Sequence, residues 1–259
     1  MPPESVSLRA KTQYMKLFLL AIGVHPDDVE LSCSGTIINE VRKGNTAGVI
    51  DLTRGELGTR GTIETRAAEA AKAAELMGLS VRENLAMRDG FFKNDEEHQL
   101  QVISAIRKYQ PEVILANILD DRHPDHGRAG ILVAESAFLA GLSKIETLDE
   151  NGLPQKRWRP KQVLHYIQDR FYEPDLVVDI SAVFEQRMEA IKAYDTQFHV
   201  SPASATGTQT YISTSAFMEA LISRARLMGK RIGVEFAEGF VTQKNIGIRS
   251  LQDLVLNET

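Results

Sequence analysis

The stretch that decides the fold is Leu17–Asp28, LFLLAIGVHPDD, an apolar run followed at once by a polar motif. The apolar part contains no charged residue and is far shorter than the ~20 residues that a membrane-spanning helix requires. Such a run is typical of a strand that is buried on both faces of a parallel sheet. The sequence therefore predicts a buried first strand with His25-Pro26-Asp27-Asp28 directly after its carboxyl end.

Helical and strand-like segments alternate through the first half of the chain. After the first strand, the pattern predicts helices and strands in turn over Val29–Lys43, Thr46–Leu52, Glu64–Met77, Val81–Ala86, Glu96–Tyr109, Glu112–Asn117 and Gly127–Gly141. Strands that alternate with helices form parallel β-α-β units with right-handed crossovers. The predicted fold is therefore a Rossmann-like α/β fold of three layers, α/β/α, around a mostly parallel sheet.

The second half of the chain is less regular. It predicts strands and helices over Gln162–Gln168, Leu176–Ile180, Ser181–Tyr194, Ser213–Gly229 and Val234–Phe240. Residues 196–210 are rich in small polar residues and predict a flexible loop, whose composition suits a lid over a polar substrate. Residues 1–15 predict a loose N-terminal arm. Because no linker or repeat interrupts the chain, residues 1–259 are expected to form a single domain.

Composition excludes several classes of protein. The formal net charge of −5 argues against nucleic acid as the main partner, and no apolar stretch indicates a membrane protein. The single cysteine, Cys33, rules out an intrachain disulfide and fits a cytoplasmic location. A dinucleotide fingerprint, a P-loop and a Gly-x-Ser-x-Gly motif are all absent, so a dinucleotide-dependent enzyme or a serine hydrolase with that motif is not expected.

A second motif, His123-Pro124-Asp125-His126, follows the predicted fourth strand. In the strand order 3-2-1-4 the first and fourth strands are neighbours, and ligands bind beyond the carboxyl ends of strands at such a switch point. Two imidazoles and one carboxylate are a common ligand set for catalytic zinc, with a further position left for water. A solvated histidine or a helix-capping aspartate would explain either motif alone. The pair on adjacent strands favours a metal-dependent hydrolase.

These residues resemble those of a known family. The strand followed by HPDD, the segment Thr53-Arg54-Gly55-Glu56 and the later HPDH resemble the PIG-L, or LmbE-like, zinc deacetylases, which remove acetyl groups from N-acetylglucosamine conjugates. Residues 55–62 and 194–198 resemble the branch that deacetylates N-acetylglucosaminyl malate in bacillithiol biosynthesis. The resemblance implies a small-molecule glycoconjugate as the substrate and a homo-oligomer, a trimer or a hexamer, as the assembly.

The resemblance also implies a metal site. By motif position, the ligands are His25, Asp28 and His126, which would hold one Zn²⁺ per chain. The same ligand types also bind Fe²⁺ and Co²⁺, so the metal in the cell is open.

By the same resemblance, Asp27 is the general base, His123 stabilises the oxyanion in its protonated form, and Asp125 orients the His123 ring. Beside a metal cation, the pKa of Asp27 is expected to fall below its ordinary value of about 4.

Four further residues are candidates for substrate binding. Arg54 and Glu56 fall where the family binds substrate, and Arg88 and Asp89 follow the third predicted strand, from which they can reach the sugar. A guanidinium matches a carboxylate bidentately, although a solvated loop charge would also explain Arg54.

Three other functions compete with this hypothesis. A metal-dependent phosphoesterase usually holds two metals, about 3.5–4 Å apart, and metal stoichiometry would distinguish it. A non-catalytic sugar-binding module with a structural zinc would need four protein ligands. Deacetylation of a mycothiol-like precursor or a chitin fragment would use the same fold and the same metal site.

The two motifs generate a first testable prediction. Asp27→Ala should keep the metal and lose nearly all turnover, whereas His25→Ala should lose the metal as well, because only the second change removes a ligand. Metal analysis of each purified variant, beside its rate of amine release, measures both effects. A wild-type rate in Asp27→Ala would show that Asp27 is not the base.

Overall fold

The computed structural model describes residues 15–198 and 208–256. The predicted N-terminal arm, apart from Met15, and the middle of the predicted loop at 196–210 lie outside this part of the chain. No helix in the described part is long and apolar enough to cross a membrane.

The described residues form a single mixed sheet. Its strands are β1 Leu19–Gly23, β2 Ala47–Thr53, β3 Val81–Met87, β4 Val113–Asn117, β5 Gln162–Tyr166, β6 Leu176–Asp179 and β7 Ala237–Val241. Their order in the sheet is β3-β2-β1-β4-β5-β7-β6. Strands β1 to β5 are parallel, and β7 pairs antiparallel with both β5 and β6.

Helices cover both faces of the sheet. They are α1 Asp28–Arg42, α2 Ile63–Met77, α3 Glu96–Tyr109, α4 Pro124–Leu139, α5 Phe184–Lys192, α6 Asp195–Phe198 and α7 Ser215–Ile232. Successive residues of β1 point to opposite faces, so Leu19 and Ala21 pack in the core under α1, α2 and α5, whereas Leu20 and Ile22 pack under α3 and α4. The predicted three-layer α/β fold is confirmed.

Strand β1 lies between β2 and β4, in parallel register with both. This is the predicted 3-2-1-4 order, and it brings the residues after Gly23 and after Asn117 to the same edge of the sheet. Several boundaries differ from the prediction by a few residues, and one of these differences affects the site: α4 begins at Pro124 rather than at Gly127. Proline is favourable in the first turn of a helix because no partner is needed there for the missing N–H. His126 therefore lies in the first helical turn and not in a loop.

A buried ion cluster holds the amino-terminal part of α1 near β2 and β3. Arg82 of β3 donates to both carboxylate oxygens of Asp51 on β2, at 2.9 Å each. It also forms an ion pair with Glu30 of α1, whose side chain is fully buried. Two carboxylates share one guanidinium, so α1, which carries Asp28, is held by charge as well as by apolar packing.

Removing the guanidinium tests this role. Arg82→Met should lower the free energy of unfolding by ~3–5 kcal/mol, because two buried carboxylates would be left without a cation. Urea unfolding measures the change. The matched control is Lys43→Met, since the Lys43 side chain is 68% exposed and its pair with Glu40 should contribute about 0–1 kcal/mol. Equal unfolding midpoints for the two variants would contradict the role of the cluster.

Candidate active site

A cavity of about 410 Å³ lies at the carboxyl ends of the parallel strands. Its floor includes residues of both His-Pro-Asp motifs, and its walls come from residues 57–60, from Gln168 and Asp169, and from the segment 210–224. Motifs about a hundred residues apart in sequence therefore meet in one cavity, as the strand order predicts.

His126 is held between two carboxylates. Its Nδ1 lies 2.6 Å from Asp121 Oδ2, and its Nε2 lies 3.2 Å from Asp28 Oδ1. Burial alone would lower the pKa of His126, but the charge of Asp28 and the hydrogen bond with Asp121 outweigh it and raise the pKa to about 10. The space between His126 Nε2 and Asp28 is thus strongly attractive to positive charge.

Asp28 accepts hydrogen bonds on both oxygens. Oδ2 accepts from the backbone N–H groups of Val24 and His25 and from Asn117 Nδ2, all within 3.1 Å. Oδ1 accepts from Gln168 Nε2 at 3.1 Å. Burial would raise the pKa of Asp28, yet the neighbouring imidazoles and these donors lower it far below its usual range. The carboxylate is therefore ionised and fixed in orientation.

His25 lies between the pair formed by His126 and Asp28 and a second group of acids. Its Nδ1 lies 3.8 Å from Asp28 Oδ2, and its Nε2 lies 3.0 Å from Asp89 Oδ1. Burial raises the pKa of Asp89, but its hydrogen bond with His25 reverses this and lowers the pKa to about 2. Potential ligand atoms of His25, Asp89 and Asp125 lie within 4.8 Å of one another. The Asp89 carboxylate thus orients the His25 ring.

Potential ligand atoms of three imidazoles, those of His25, His123 and His126, also lie within 4.8 Å of one another. With Asp28 beside two of these rings, the cluster offers either two histidines and one aspartate or three histidines. Both sets suit a divalent transition metal, and facing electron-pair donors such as His126 Nε2 and Asp28 Oδ1 favour a cation between them. The donor chemistry of the described residues therefore fits the predicted metal.

Asp27 is the strained residue of the cluster, with a φ of 125° that non-glycine residues rarely adopt. Arg66 of α2 holds it there: Nη2 donates to Pro26 O at 2.6 Å and to Asp27 Oδ2 at 3.2 Å. Nη1 of the same guanidinium donates to Gly55 O at 3.2 Å. A Cβ at position 55 would collide with that nitrogen, so only glycine leaves room for this clamp.

The electrostatic surroundings of Asp27 combine burial with one nearby guanidinium. Burial raises the pKa of its carboxyl to about 7, and the nearby Arg66 guanidinium offsets only part of this rise. Among the protein groups, desolvation of a carboxylate that is only 5% exposed exceeds the attraction of one cation. The expected fall of the Asp27 pKa concerns the metal-bound site and stays a prediction.

The hydrogen bonds of His123 and Asp125 are not those that the resemblance implies. The Asp125 carboxylate accepts from Gly90 N and Arg128 Nη1, both at 2.8 Å, and has no hydrogen bond with the His123 ring. Instead, the backbone N–H of Asp125 donates to His123 Nδ1 at 3.2 Å. Burial, together with His25 and His126, lowers the pKa of His123, so the ring is neutral near pH 7 rather than protonated. Its proton then lies on Nε2, since Nδ1 accepts a hydrogen bond.

The predicted substrate residues divide into two groups. Asp89 lines the cavity, whereas Arg54, Glu56 and Arg88 are exposed and lie outside its lining. Glu56 instead accepts from Asp89 N at 2.8 Å, and the Arg88 guanidinium lies over the Phe91 ring. The strand ends carry these three side chains away from the cavity, a direction that sequence spacing does not specify.

Several side chains of the site were missed from the sequence. Arg66, Asn117 and Gln168 each contact a motif residue, as described above, and only position after a strand could have suggested the last two. Asp121 had a stronger signal, since it lies five residues before His126. The structure buries Asp121 against His126, whereas the adjacent Arg122 pairs with Asp169 at 3.1 Å.

Comparisons with known proteins agree with this geometry. Residues 20–137, which include both motifs, match the family PIG-L, GlcNAc-PI de-N-acetylase. Diacetylchitobiose deacetylase of Thermococcus kodakarensis is 30% identical over 195 residues, which is 70% of this chain and 70% of that protein.

Solved structures share the whole fold. The conserved protein TT1542 from Thermus thermophilus is 35% identical, with a TM-score of 0.77, over 90% of this chain and 97% of that one. N,N'-diacetylchitobiose deacetylase from Pyrococcus horikoshii is 24% identical, with a TM-score of 0.73, over 86% of this chain and 82% of that one. The second likeness shows the fold alone.

The contact between Asp121 and His126 generates a test of the metal site. Asp121→Asn should weaken metal binding about 10- to 100-fold, because a carboxylate behind a ligating imidazole fixes its tautomer and raises its basicity. Competition with a chromogenic chelator measures the dissociation constant. The control is Asp120→Asn, whose side chain is 66% exposed and pairs with Arg170. If both variants bind metal as the wild type does, His126 is not a ligand that Asp121 orients.

Proposed function

This chain belongs to the PIG-L family, and we propose that it is a metal-dependent N-deacetylase of N-acetylglucosamine conjugates. The observation that carries the proposal is the meeting of both His-Pro-Asp motifs in one cavity, with three imidazoles and the Asp28 carboxylate close together. His25, Asp28 and His126 are proposed as the ligands of one Zn²⁺, with His123 as the alternative to Asp28. A bound divalent metal would supply an acidic water and polarise the acetyl carbonyl.

The protein groups would then move protons and stabilise charge. Arg66 contacts only Oδ2 of Asp27, which leaves Oδ1 without a partner among the described residues and able to take a proton from a water in the cavity. Asp27 would return this proton to the amine nitrogen as the amide bond breaks. His123 lines the same cavity, and its Nε2–H would donate to the carbonyl oxygen as negative charge develops there. The products are acetate and a free glucosamine amine.

The proposed substrate is N-acetylglucosaminyl malate, the acetylated precursor in bacillithiol biosynthesis. Its support is the pair of segments that resemble that branch of the family, 55–62 and 194–198, which contact each other at the cavity. Arg60 Nε donates to Thr196 O at 2.6 Å, and Gln197 Nε2 donates to Arg60 O at 2.8 Å. Arg60 and Gln197 both line the cavity, and in this proposal the two segments would contact the conjugate. A homotrimer or homohexamer belongs to the same proposal and rests on the resemblance.

The test is amine release from three substrates. The zinc-loaded protein should deacetylate N-acetylglucosaminyl malate with a higher kcat/KM than N,N'-diacetylchitobiose or N-acetylglucosamine, and removal of the metal with a chelator should abolish all three rates until zinc is restored. Asp27→Ala protein, purified in the same way, controls for a contaminating enzyme.

Each part of the proposal has its own contrary outcome. Faster turnover of diacetylchitobiose would show that the substrate is a chitin fragment. The proposed reaction, N-deacetylation, would still stand. Two metals per chain with phosphate-ester hydrolysis and no amine release would replace the deacetylase with a phosphoesterase.

A further inference from the structure

Arg224 of α7 lies in the wall of the active-site cavity without a carboxylate partner among the described residues. Its one hydrogen bond to a described residue runs from Nη2 to the backbone oxygen of Leu31, at 3.2 Å. No Asp or Glu of the described part lies within ion-pair distance of its guanidinium. The side chain is partly buried, so this positive charge faces the cavity rather than bulk water.

Neighbouring arginines are compensated in a way that Arg224 is not. Arg66 pairs with Asp27 at 3.2 Å, and Arg122 pairs with Asp169 at 3.1 Å. Arg187, behind the cavity wall, pairs with Glu238 at 3.0 Å. The Glu238 carboxylate is fully engaged, since it also accepts from Gly35 N, Thr36 N and the Thr36 hydroxyl. It therefore has no oxygen left for Arg224.

The surroundings of Arg224 make this charge costly. Burial and the like charge of Arg187 lower its pKa to about 10, and the more distant Asp169 and Asp121 only partly oppose them. The group is still a cation at neutral pH. A desolvated cation without a partner is unfavourable, so an anion brought into the cavity would be bound tightly at this position.

A second polar group lies beside Arg224. Ser32 of α1 is 5% exposed and lines the same cavity, and its hydroxyl has no hydrogen-bond partner among the described residues. Both residues also line a small adjoining cavity of about 10 Å³. The lining of the larger cavity also includes apolar side chains, those of Leu31, Ile212 and Phe217. An unpaired guanidinium and a buried hydroxyl without a partner are donors that suit a small oxyanion.

We infer that Arg224 and Ser32 form a subsite for an oxyanion carried by the group attached to the sugar, a carboxylate in the proposed substrate. Arg224 would act as a specificity-determining residue, because it would bind the attached anion and take no part in breaking the amide bond. The inference rests on the proposed function for the identity of the sugar. The chemistry at Arg224 is shared by carboxylates and phosphates, so the experiment includes one probe of each kind.

Binding of reaction products tests the subsite without turnover. Isothermal titration calorimetry of the zinc-loaded protein would use glucosaminyl malate, glucosamine 1-phosphate and plain glucosamine. Arg224→Gln should weaken binding of at least one anionic probe by about 30-fold or more, and should change binding of glucosamine by less than about 3-fold. The probe that loses affinity identifies the oxyanion. Ser32→Ala should weaken the same probe by about 3- to 10-fold.

The matched control is Arg226→Gln, on the same helix, whose exposed guanidinium lies over the Phe236 ring. It should bind all three probes as the wild type does. Arg224→Lys keeps the charge and should retain most of the affinity. Unchanged binding in Arg224→Gln, or an equal loss for glucosamine and the anionic probes, would overturn the subsite. Failure of the proposed function would show separately, as absence of amine release by a wild-type protein that still discriminates the probes.

Discussion

The parallel pairing of β1 with β4 is the constraint on which the candidate site depends. A His-Pro-Asp motif follows each strand, and the parallel register of the two strands brings both motifs to the same edge of the sheet. A shift of register by one residue would turn alternate side chains to the opposite face of the sheet, so the two buried cores and the site are specified together. The chemistry of the cavity is in this sense a consequence of strand order.

The second requirement is compensation of buried charge. The cavity floor collects imidazoles and carboxylates that are almost completely shielded from water, and each is stabilised by a specific partner: Asp121 for His126, Asp89 for His25 and Arg66 for Asp27. These partners lie on loops and helices that follow different strands. The fold therefore positions one supporting residue, from the segment after each of three strands, beside a residue of the two motifs.

The strained backbone of Asp27 is stabilised by one of these supporting residues, Arg66. A non-glycine residue at a φ of 125° is unfavourable, and it persists because Arg66 binds the backbone on either side of the cavity floor, at Pro26 and at Gly55. The same guanidinium contacts the Asp27 carboxylate, so backbone conformation and side-chain placement are fixed by one residue of α2. Arg224 departs from this pattern of pairing, because no carboxylate of the described residues lies within ion-pair distance of its guanidinium.

The sequence by itself determined the fold class and the location of the site, because both depend on short-range signals. The apolar run before His25, the alternation of helices with strands and the two motifs need no knowledge of distant contacts. The sequence did not determine which side chains at the ends of strands point into the cavity. Arg54 and Arg88 follow the expected strands but lie outside the cavity. Arg66, Gln168 and Arg224 line it. Protonation was decided by tertiary structure as well, since the neutral ring of His123 and the raised pKa of Asp27 result from burial. Burial depends on what packs above a residue, and for this cavity those groups come from segments up to two hundred residues away.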